Sequence, residues 1–272
     1  MNYSADIQKT RRTLPKEFTL NTWKDVEPFF NQLLQRDISS KPALDIWLND
    51  LSELEAAISE DACWRQIRMT CDTENQQLED AYNFYCLHIQ PQIEPFADAL
   101  NKKLINATSV SELDPILYFT YLRNIRKNIE LFREENIPLQ AEAAVLQQQY
   151  GQITGDMTVT INQVEYTLQQ AAKFLESPKR EVREDAYRKI QERRIQSKPA
   201  LNELFDKLLK LRNQQAINAG FANYRDYRFK ELGRFDYSKE DCFKFHDAVK
   251  LHILPLINSL YRKKAGKLGL KK

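Results

Sequence analysis

Apolar residues recur three and four positions apart along most of the chain, which is the spacing of one buried helical face. Thr22 and Asp25 have the spacing of a capping box, and Ser40 with Pro42 has the composition of a second helix start. The stripe after Thr22 consists of Val26, Phe29, Phe30, Leu33 and Leu34. The stripe after Ser40 consists of Ile46, Trp47, Leu51, Leu54 and Ile58. The pattern therefore predicts two consecutive amphipathic helices.

Two longer helical patterns follow. One runs from about Asn75 to Asn106, and we expect kinks at Pro91 and Pro95 because proline lacks an N–H and clashes with the preceding turn. The other runs from Ser111 to Asn136. Its predicted inward residues are Leu117, Tyr121, Ile125 and Ile129, and its predicted outward residues are Arg126, Glu130 and Arg133.

One segment has strand periodicity instead. The β-rich runs 157–161 and 164–168 are separated by Asn162-Gln163, and Gly151 and Gly155 are expected to give flexibility before them. This predicts a β-hairpin near 156–168. Because an isolated hairpin is marginally stable, we expect it to lie against a helical surface.

The helical pattern then resumes to the end of the chain. Ser177-Pro178 precedes a polar helix, a further helix spans Ser197 to Ala219 with Gly220 as its C-terminal glycine, and the last runs from about Ser238 to Leu260. The polar helix has regular apolar positions at Val182, Ala186 and Ile190, with Ile195 nearby. The predicted fold class is mainly α, with the single small hairpin.

Composition removes several classes of enzyme. The 272 residues can bury a core without disulfides or metal. Only 6 glycines occur, where average usage would give about 19. No G-x-G-x-x-G, P-loop or G-x-S-x-G motif is found, so dinucleotide, nucleotide and α/β-hydrolase functions lack their signatures.

Charge and hydropathy argue against two classes of binding partner, nucleic acids and membranes. The 40 basic and 38 acidic residues give a net charge of +2, which argues against a dedicated nucleic-acid binder. The last twelve residues hold six of the basic residues and no acidic one. Without an apolar leader or a membrane-length apolar run, we expect a cytoplasmic protein with no membrane partner. Cys63, Cys71, Cys86 and Cys242 show no C-x-x-C spacing and are expected to be reduced.

The polar helix also has a basic stripe. Residues 179–198 contain eight basic and four acidic side chains. Such a stripe either holds a phosphate or acidic peptide or forms an ion-paired surface, and the second is the commoner arrangement.

Candidate catalytic chemistry is sparse. His88 is expected to be partly buried and structural, and His246 and His252 are six residues apart, which does not place them on one helical face. Cys242 and His246 do share a face, so they could form two metal ligands or a thiolate–imidazole pair, but two ligands do not close a zinc site. Glu130 and Glu134 could pair on one turn or form an ordinary solvated face. We therefore predict no catalytic and no metal-binding residue, and the substrate-binding residues remain unassigned.

Residues 211–247, with the core A-x-x-A-G-F-x-N-Y-R-D-Y, resemble the M3 family of zinc metallopeptidases, particularly its oligoendopeptidase F branch. The resemblance extends in family order to residues 67–75 (IRMTCDTEN), 150–170 (YGQITGDMTVTINQVEYTLQQ) and 177–194 (SPKREVREDAYRKIQERR). It implies an α-rich peptidase whose two lobes enclose a channel for short oligopeptides.

The same resemblance implies Zn²⁺ held by H-E-x-x-H and a downstream glutamate. No H-E-x-x-H occurs in these 272 residues, so none of those roles is assigned here and no zinc is expected on this chain. We expect residues 1–110 to be a helical N-terminal region, 111–185 an M3-type module with the hairpin, and 186–272 the incomplete start of the catalytic domain.

Two functional hypotheses follow. The first is the N-terminal portion of an oligoendopeptidase F-like enzyme, inactive without a missing C-terminal catalytic half. The alternative is a non-catalytic helical scaffold, derived from that family, that binds a peptide or a protein. If a lobe is missing, apolar side chains between 200 and 260 should be exposed. The residues expected to lose partners are Leu204, Leu208, Leu211, Phe243 and Leu251.

Overall fold

The computed structural model describes residues 11–270, which are predominantly helical. The α-helices are α1 (Glu27–Gln35), α2 (Lys41–Cys71), α3 (Gln76–Phe84), α4 (Gln90–Asn106), α5 (Phe119–Leu131), α6 (Asn136–Gly155), α7 (Leu168–Ala171), α8 (Arg180–Asn218), α9 (Tyr224–Glu231), α10 (Lys239–Ala248) and α11 (Leu254–Lys267). The strands are β1 (Thr158–Ile161) and β2 (Val164–Thr167). Within 11–270, no helix combines the length and the apolar content of a membrane span. The mainly α class with one hairpin is confirmed.

Backbone contacts divide the chain into two units, the first ending at Tyr224 and the second beginning at Arg225. Unit 1 contains α1–α8 and the hairpin, and the second unit, unit 2, contains α10 and α11. The three segments expected from the sequence, 1–110, 111–185 and 186–272, stay a prediction.

The main core of unit 1 forms where α1, α2, α4 and α5 meet. Trp47 is fully buried, and its Nε1 donates a hydrogen bond to the Leu33 carbonyl at 2.9 Å. Trp23 packs against Phe30 and Phe96, with ring centroids 5.6 Å and 4.9 Å apart. Each buried aromatic ring removes a large apolar area from water, so this cluster anchors the first hundred residues.

The two predicted N-terminal helices are confirmed, with two corrections. Thr22 and Asp25 form the capping box, but it caps a 3₁₀ turn at Trp23–Asp25, and α1 begins at Glu27. Ser40 precedes α2 as predicted, with Pro42 in its first turn. Ile46 was expected in the core but is 59% exposed, because the neighbouring Trp47 occupies the inward face.

The 75–106 pattern contains a π-helical segment, Tyr85–Ile89, between α3 and α4. Pro91 lies in the first turn of α4, so the widened turn comes just before the proline that cannot donate a backbone hydrogen bond. A second π-helical segment, Val249–Ile253 in unit 2, likewise comes just before a proline, because Pro255 lies in the first turn of α11. Both places have the sequence L-H-I-x-P-x-I, at 87–93 and 251–257. Pro95, in contrast, lies inside α4.

The predicted 111–136 helix is wrong at both ends. The Asp114 carboxylate accepts backbone N–H bonds from Ile116 and Leu117 at 2.8 Å and 2.9 Å, and this turn delays the start of α5 to Phe119. Leu117 is consequently 74% exposed, whereas Ile125 is buried as predicted. The chain also contains α6, which the sequence pattern did not predict. Gly151 and Gly155 are helical residues of α6 and not a flexible approach to the hairpin.

The β-hairpin and its support are confirmed. Val159 pairs with Tyr166 in antiparallel register, and Asn162 and Gln163 turn the chain with φ of 53° and 65°. The buried face of the hairpin packs on α7 and α8. Its core consists of Met157, Val159, Ile161, Leu168, Ala171, Ala186 and Ile190.

The two helices predicted over 178–219 form one helix, α8, which continues through Pro199. It ends in a Schellman motif: Gly220 N–H donates to Ile217 O and Phe221 N–H to Ala216 O, both at 2.9 Å. Leu204 and Leu208 were expected to be exposed but are buried against α6, and Leu211 packs beside them. The exposure predicted for Phe243 and Leu251 is confirmed, at 46% and 68%.

Candidate functional site

The Cys242–His246 pair lies on α10 with the predicted i, i+4 spacing. Cys242 is half-buried and His246 is exposed, with its ring centroid 6.5 Å from that of Phe243. His252 is exposed in the π-helical segment of unit 2. Within the part of the chain that the structure describes, no group of three or more His, Cys, Asp or Glu side chains is placed to hold a metal ion.

The structure also places two other candidates from the sequence, His88 and the Glu130–Glu134 pair. His88 was expected to be partly buried but is exposed, with its ring tilted against that of Phe84 at a centroid distance of 5.0 Å. Glu130 lies on α5, whereas Glu134 lies beyond the end of that helix, so they do not share a helical turn. Both are exposed. The prediction that this chain carries no catalytic or metal-binding residue stays a prediction.

The basic stripe of α8 contains ion pairs along its own helix. Arg188 pairs with Glu184 at 2.8 Å and Lys189 with Asp185 at 2.9 Å, each four residues apart. These exposed pairs favour the ion-paired surface over a phosphate site, because part of the positive charge is already compensated.

One cavity of unit 1, which we call the carboxyl cavity, lies between α2 and the α3–α4 segment. Its volume is about 430 Å³. Its walls combine apolar side chains with two carboxyl groups, two tyrosines and two cysteines. The lining residues are Phe30, Glu55, Ile58, Ser59, Ala62, Cys63, Gln66, Tyr82, Tyr85, Cys86, Gln90, Ile93, Glu94, Ala97 and Leu100.

Five titratable groups that line this cavity are shifted toward their neutral forms. Desolvation raises the pKa of Glu94 within the wall and of Glu55 at the solvent-exposed rim. Burial also raises the pKa of Tyr82 and of the Cys86 thiol, and it raises the pKa of Tyr85 to about 12. The only hydrogen bond described for the Glu94 carboxyl comes from Gln90 Nε2, at 3.4 Å. A cationic or hydrogen-bond-donating ligand would therefore find an acceptor here that the protein itself leaves weakly compensated.

The sequence pattern did not indicate Glu55 or Glu94 as site residues. The available signal was their position beside core residues, since Glu55 follows the buried Leu54 and Glu94 lies between Ile93 and Phe96, both packed against the core. A carboxyl group next to an inward stripe is commonly a boundary residue, so the pattern alone does not reveal a cavity.

Two family models match the sequence. The model described as Peptidase M3 N-terminal domain matches residues 15–132, and the model described as Peptidase family M3 matches residues 173–272. No protein with a curated functional description matches the chain.

Solved structures match nearly the whole chain. The first is provisionally named oligoendopeptidase F, at 21% identity and a TM-score of 0.88 over 94% of this chain and 45% of that one. The second has the same provisional name and comes from Bacillus anthracis str. Ames, at 17% identity and a TM-score of 0.88 over 97% of this chain and 49% of that one. The third is PZ peptidase A solved with an inhibitor, at 21% identity and a TM-score of 0.88 over 94% and 46%. The chain thus spans about half the length of these structures and shares their fold.

Proposed function

Because this chain belongs to the M3 family of peptidases, we propose that it forms one wall of the substrate channel of an oligoendopeptidase F-like enzyme. The enzyme cleaves internal bonds of short, unstructured peptides. The observation that carries the proposal is the match over 94–97% of this chain to 45–49% of structures named oligoendopeptidase F.

We further propose that the zinc ion and its ligands belong to polypeptide outside these 272 residues. Family membership implies zinc chemistry, but the sequence has no H-E-x-x-H, and the described residues gather no three metal-ligating side chains. The residues present therefore do not fit the metal, and no catalytic step is assigned to them. The partner is the C-terminal half that completes the M3 fold, either as continuous chain or as a separate one.

The test is a peptidase assay with a quenched fluorescent oligopeptide, together with a measurement of bound zinc. The 272-residue chain alone should neither cleave the peptide nor hold stoichiometric zinc. Co-expression with the polypeptide that completes the M3 domain in the same genome should give chelator-sensitive cleavage. The matched control is the same co-expression with the glutamate of H-E-x-x-H changed to glutamine, which removes the general base.

Other outcomes would contradict parts of this proposal. Chelator-sensitive cleavage by the 272-residue chain alone would show that this chain itself holds a metal site, and Cys242 and His246 would be the first residues to replace. Peptide binding without cleavage in any combination would favour the non-catalytic scaffold.

A further inference from the structure

A second cavity of unit 1, which we call the glutamine cavity, lies between the end of α2, α3 and the second half of α6. Its volume is about 190 Å³. Four glutamines line it, namely Gln66, Gln147, Gln148 and Gln152. Within the described residues no charged side chain lines it, so its polar character comes from amide and hydroxyl groups alone.

Gln148 is the unusual member of this group. It is only 7% exposed, and its Oε1 atom has no hydrogen-bond partner among the described residues. A buried amide oxygen without a donor costs free energy, so native proteins rarely keep one unless water or a ligand supplies the missing N–H or O–H.

The neighbouring amides do not supply that donor. Gln147 Nε2 donates to Ala143 O on its own helix at 2.9 Å, and Gln152 Nε2 donates to the Glu79 carboxylate at 3.2 Å. The cavity therefore presents a neutral acceptor that needs a donor from outside.

Two separate stretches of the sequence that resemble the M3 family meet at this cavity. Met69, Thr70 and Thr73 come from the 67–75 stretch, and Gly151 and Gln152 come from the 150–170 stretch. At Gly155 an added Cβ would lie 3.4 Å from Thr73 Oγ1, so the two segments approach closely here. The cavity is thus formed where two segments far apart in the sequence come together.

We propose that the glutamine cavity binds an uncharged amide group of a peptide, with an amide N–H donating to Gln148 Oε1. A neutral amide fits because it both donates and accepts hydrogen bonds and needs no counter-charge from the wall. Gln66 and Tyr82 line both this cavity and the carboxyl cavity, so the two cavities adjoin there. The inference rests on the proposed function in one respect, namely that the amide group belongs to a peptide.

The experiment measures binding by NMR on the full chain labelled with ¹⁵N-glutamine. The probe is N-acetylglycine N′-methylamide, which carries only main-chain amides, and propionamide represents a glutamine side chain. The control probe is N-acetylsarcosine dimethylamide, which has no N–H. We expect a saturable shift of the Gln148 side-chain resonance with the first probe and binding about tenfold weaker with the control probe. Saturation by propionamide alone would reassign the ligand from the main chain to a carboxamide side chain.

Two variants complete the test. Gln148→Met should abolish the saturable shift that the probe also causes at the other cavity glutamines, Gln147 and Gln152. It should not lower the melting temperature, because it removes an acceptor that has no partner. Gln149→Met replaces the exposed neighbour and should keep the response. Gln148→Leu provides the same readout if the methionine variant does not fold.

The proposal is overturned by any of three results: no saturable shift, equal binding of the fully methylated probe, or a marked loss of stability in both Gln148 variants. The last result would make Gln148 a structural residue. None of these measurements involves hydrolysis, so their failure is distinct from failure of the peptidase proposal.

Discussion

Replacing Gly220 by alanine should destabilise unit 1, whereas the same replacement at Gly151 should stabilise it. Gly220 follows α8 with φ of +85°, a left-handed conformation that the Schellman motif requires. Gly151 lies inside α6. An added Cβ meets no atom within 4 Å at either position, so steric clash with neighbouring atoms does not contribute. The two substitutions therefore differ in backbone conformation alone.

The magnitudes follow from that difference. A left-handed backbone costs a non-glycine residue about 1 kcal/mol or more, so Gly220→Ala should lower the free energy of unfolding by about that amount. Alanine inside a helix is favoured over glycine by about 0.5–1 kcal/mol, so Gly151→Ala should raise it. For a unit of this size, 1 kcal/mol corresponds to a shift of about 2–4 °C in melting temperature.

The assay is urea unfolding followed by far-UV circular dichroism, with a thermal melt of each variant beside the parent chain. Both changes should move the midpoint while the slope against denaturant stays constant. The expected difference between the two variants is about 2 kcal/mol. A Gly220→Ala variant as stable as the parent, or a Gly151→Ala variant less stable than it, would refute the conformational argument.

Three further substitutions test the electrostatics and the buried polar contacts of unit 1. Burial raises the pKa of Glu94, so the folded state binds the proton of this carboxyl more tightly than the unfolded state does. The stability that comes from this proton is lost as pH rises through the raised pKa. Glu94→Gln should therefore melt higher than the parent at about pH 7 and equally at about pH 4, as thermal melts over a pH series would show. Burial alone would raise the pKa of Glu53, but backbone N–H bonds from residues 12–14 outweigh it and lower the pKa. The stability that Glu53 contributes is thus fully present at pH above its ordinary pKa and is lost as pH falls through the lowered pKa. Glu53→Gln should therefore cost about 1 kcal/mol at neutral pH and little in acid. Asn136 is 2% exposed and its Nδ2 donates to Gln215 O at 3.0 Å, so Asn136→Ala should cost about 2 kcal/mol in urea unfolding, and a loss near zero would contradict that bond's role.

Local signals in the sequence predict local structure well in this chain. Asn162-Gln163 between two β-rich runs predicts the hairpin, and Ser238 with Asp241 forms a capping box at the start of α10, where the sequence places a helix start. Gly220 likewise ends α8 as predicted. These features depend on hydrogen bonds within a few residues, so the sequence near each one is sufficient to predict it.

Features that depend on packing from several sides were missed. The helix α6 contacts both α8 and α4, so its apolar residues are spread around the helix and no single stripe marks it. Its Gly151 and Gly155 also favoured a flexible segment. The carboxyl cavity and the environment of the unpartnered Gln148 oxygen are each formed by several separated segments. The spacing of residues within one segment therefore does not predict them.

The placement of tryptophan gives the molecule an internal optical reporter. All three tryptophans, Trp23, Trp47 and Trp64, lie in unit 1, and none occurs after residue 224. Trp47 is fully buried and Trp64 is 49% exposed, so intrinsic fluorescence should come from a shielded and a hydrated indole at once. Tryptophan fluorescence therefore reports on unit 1, whereas circular dichroism follows the helices of both units. The separation between the two unfolding midpoints measures how far unit 2 unfolds independently of unit 1.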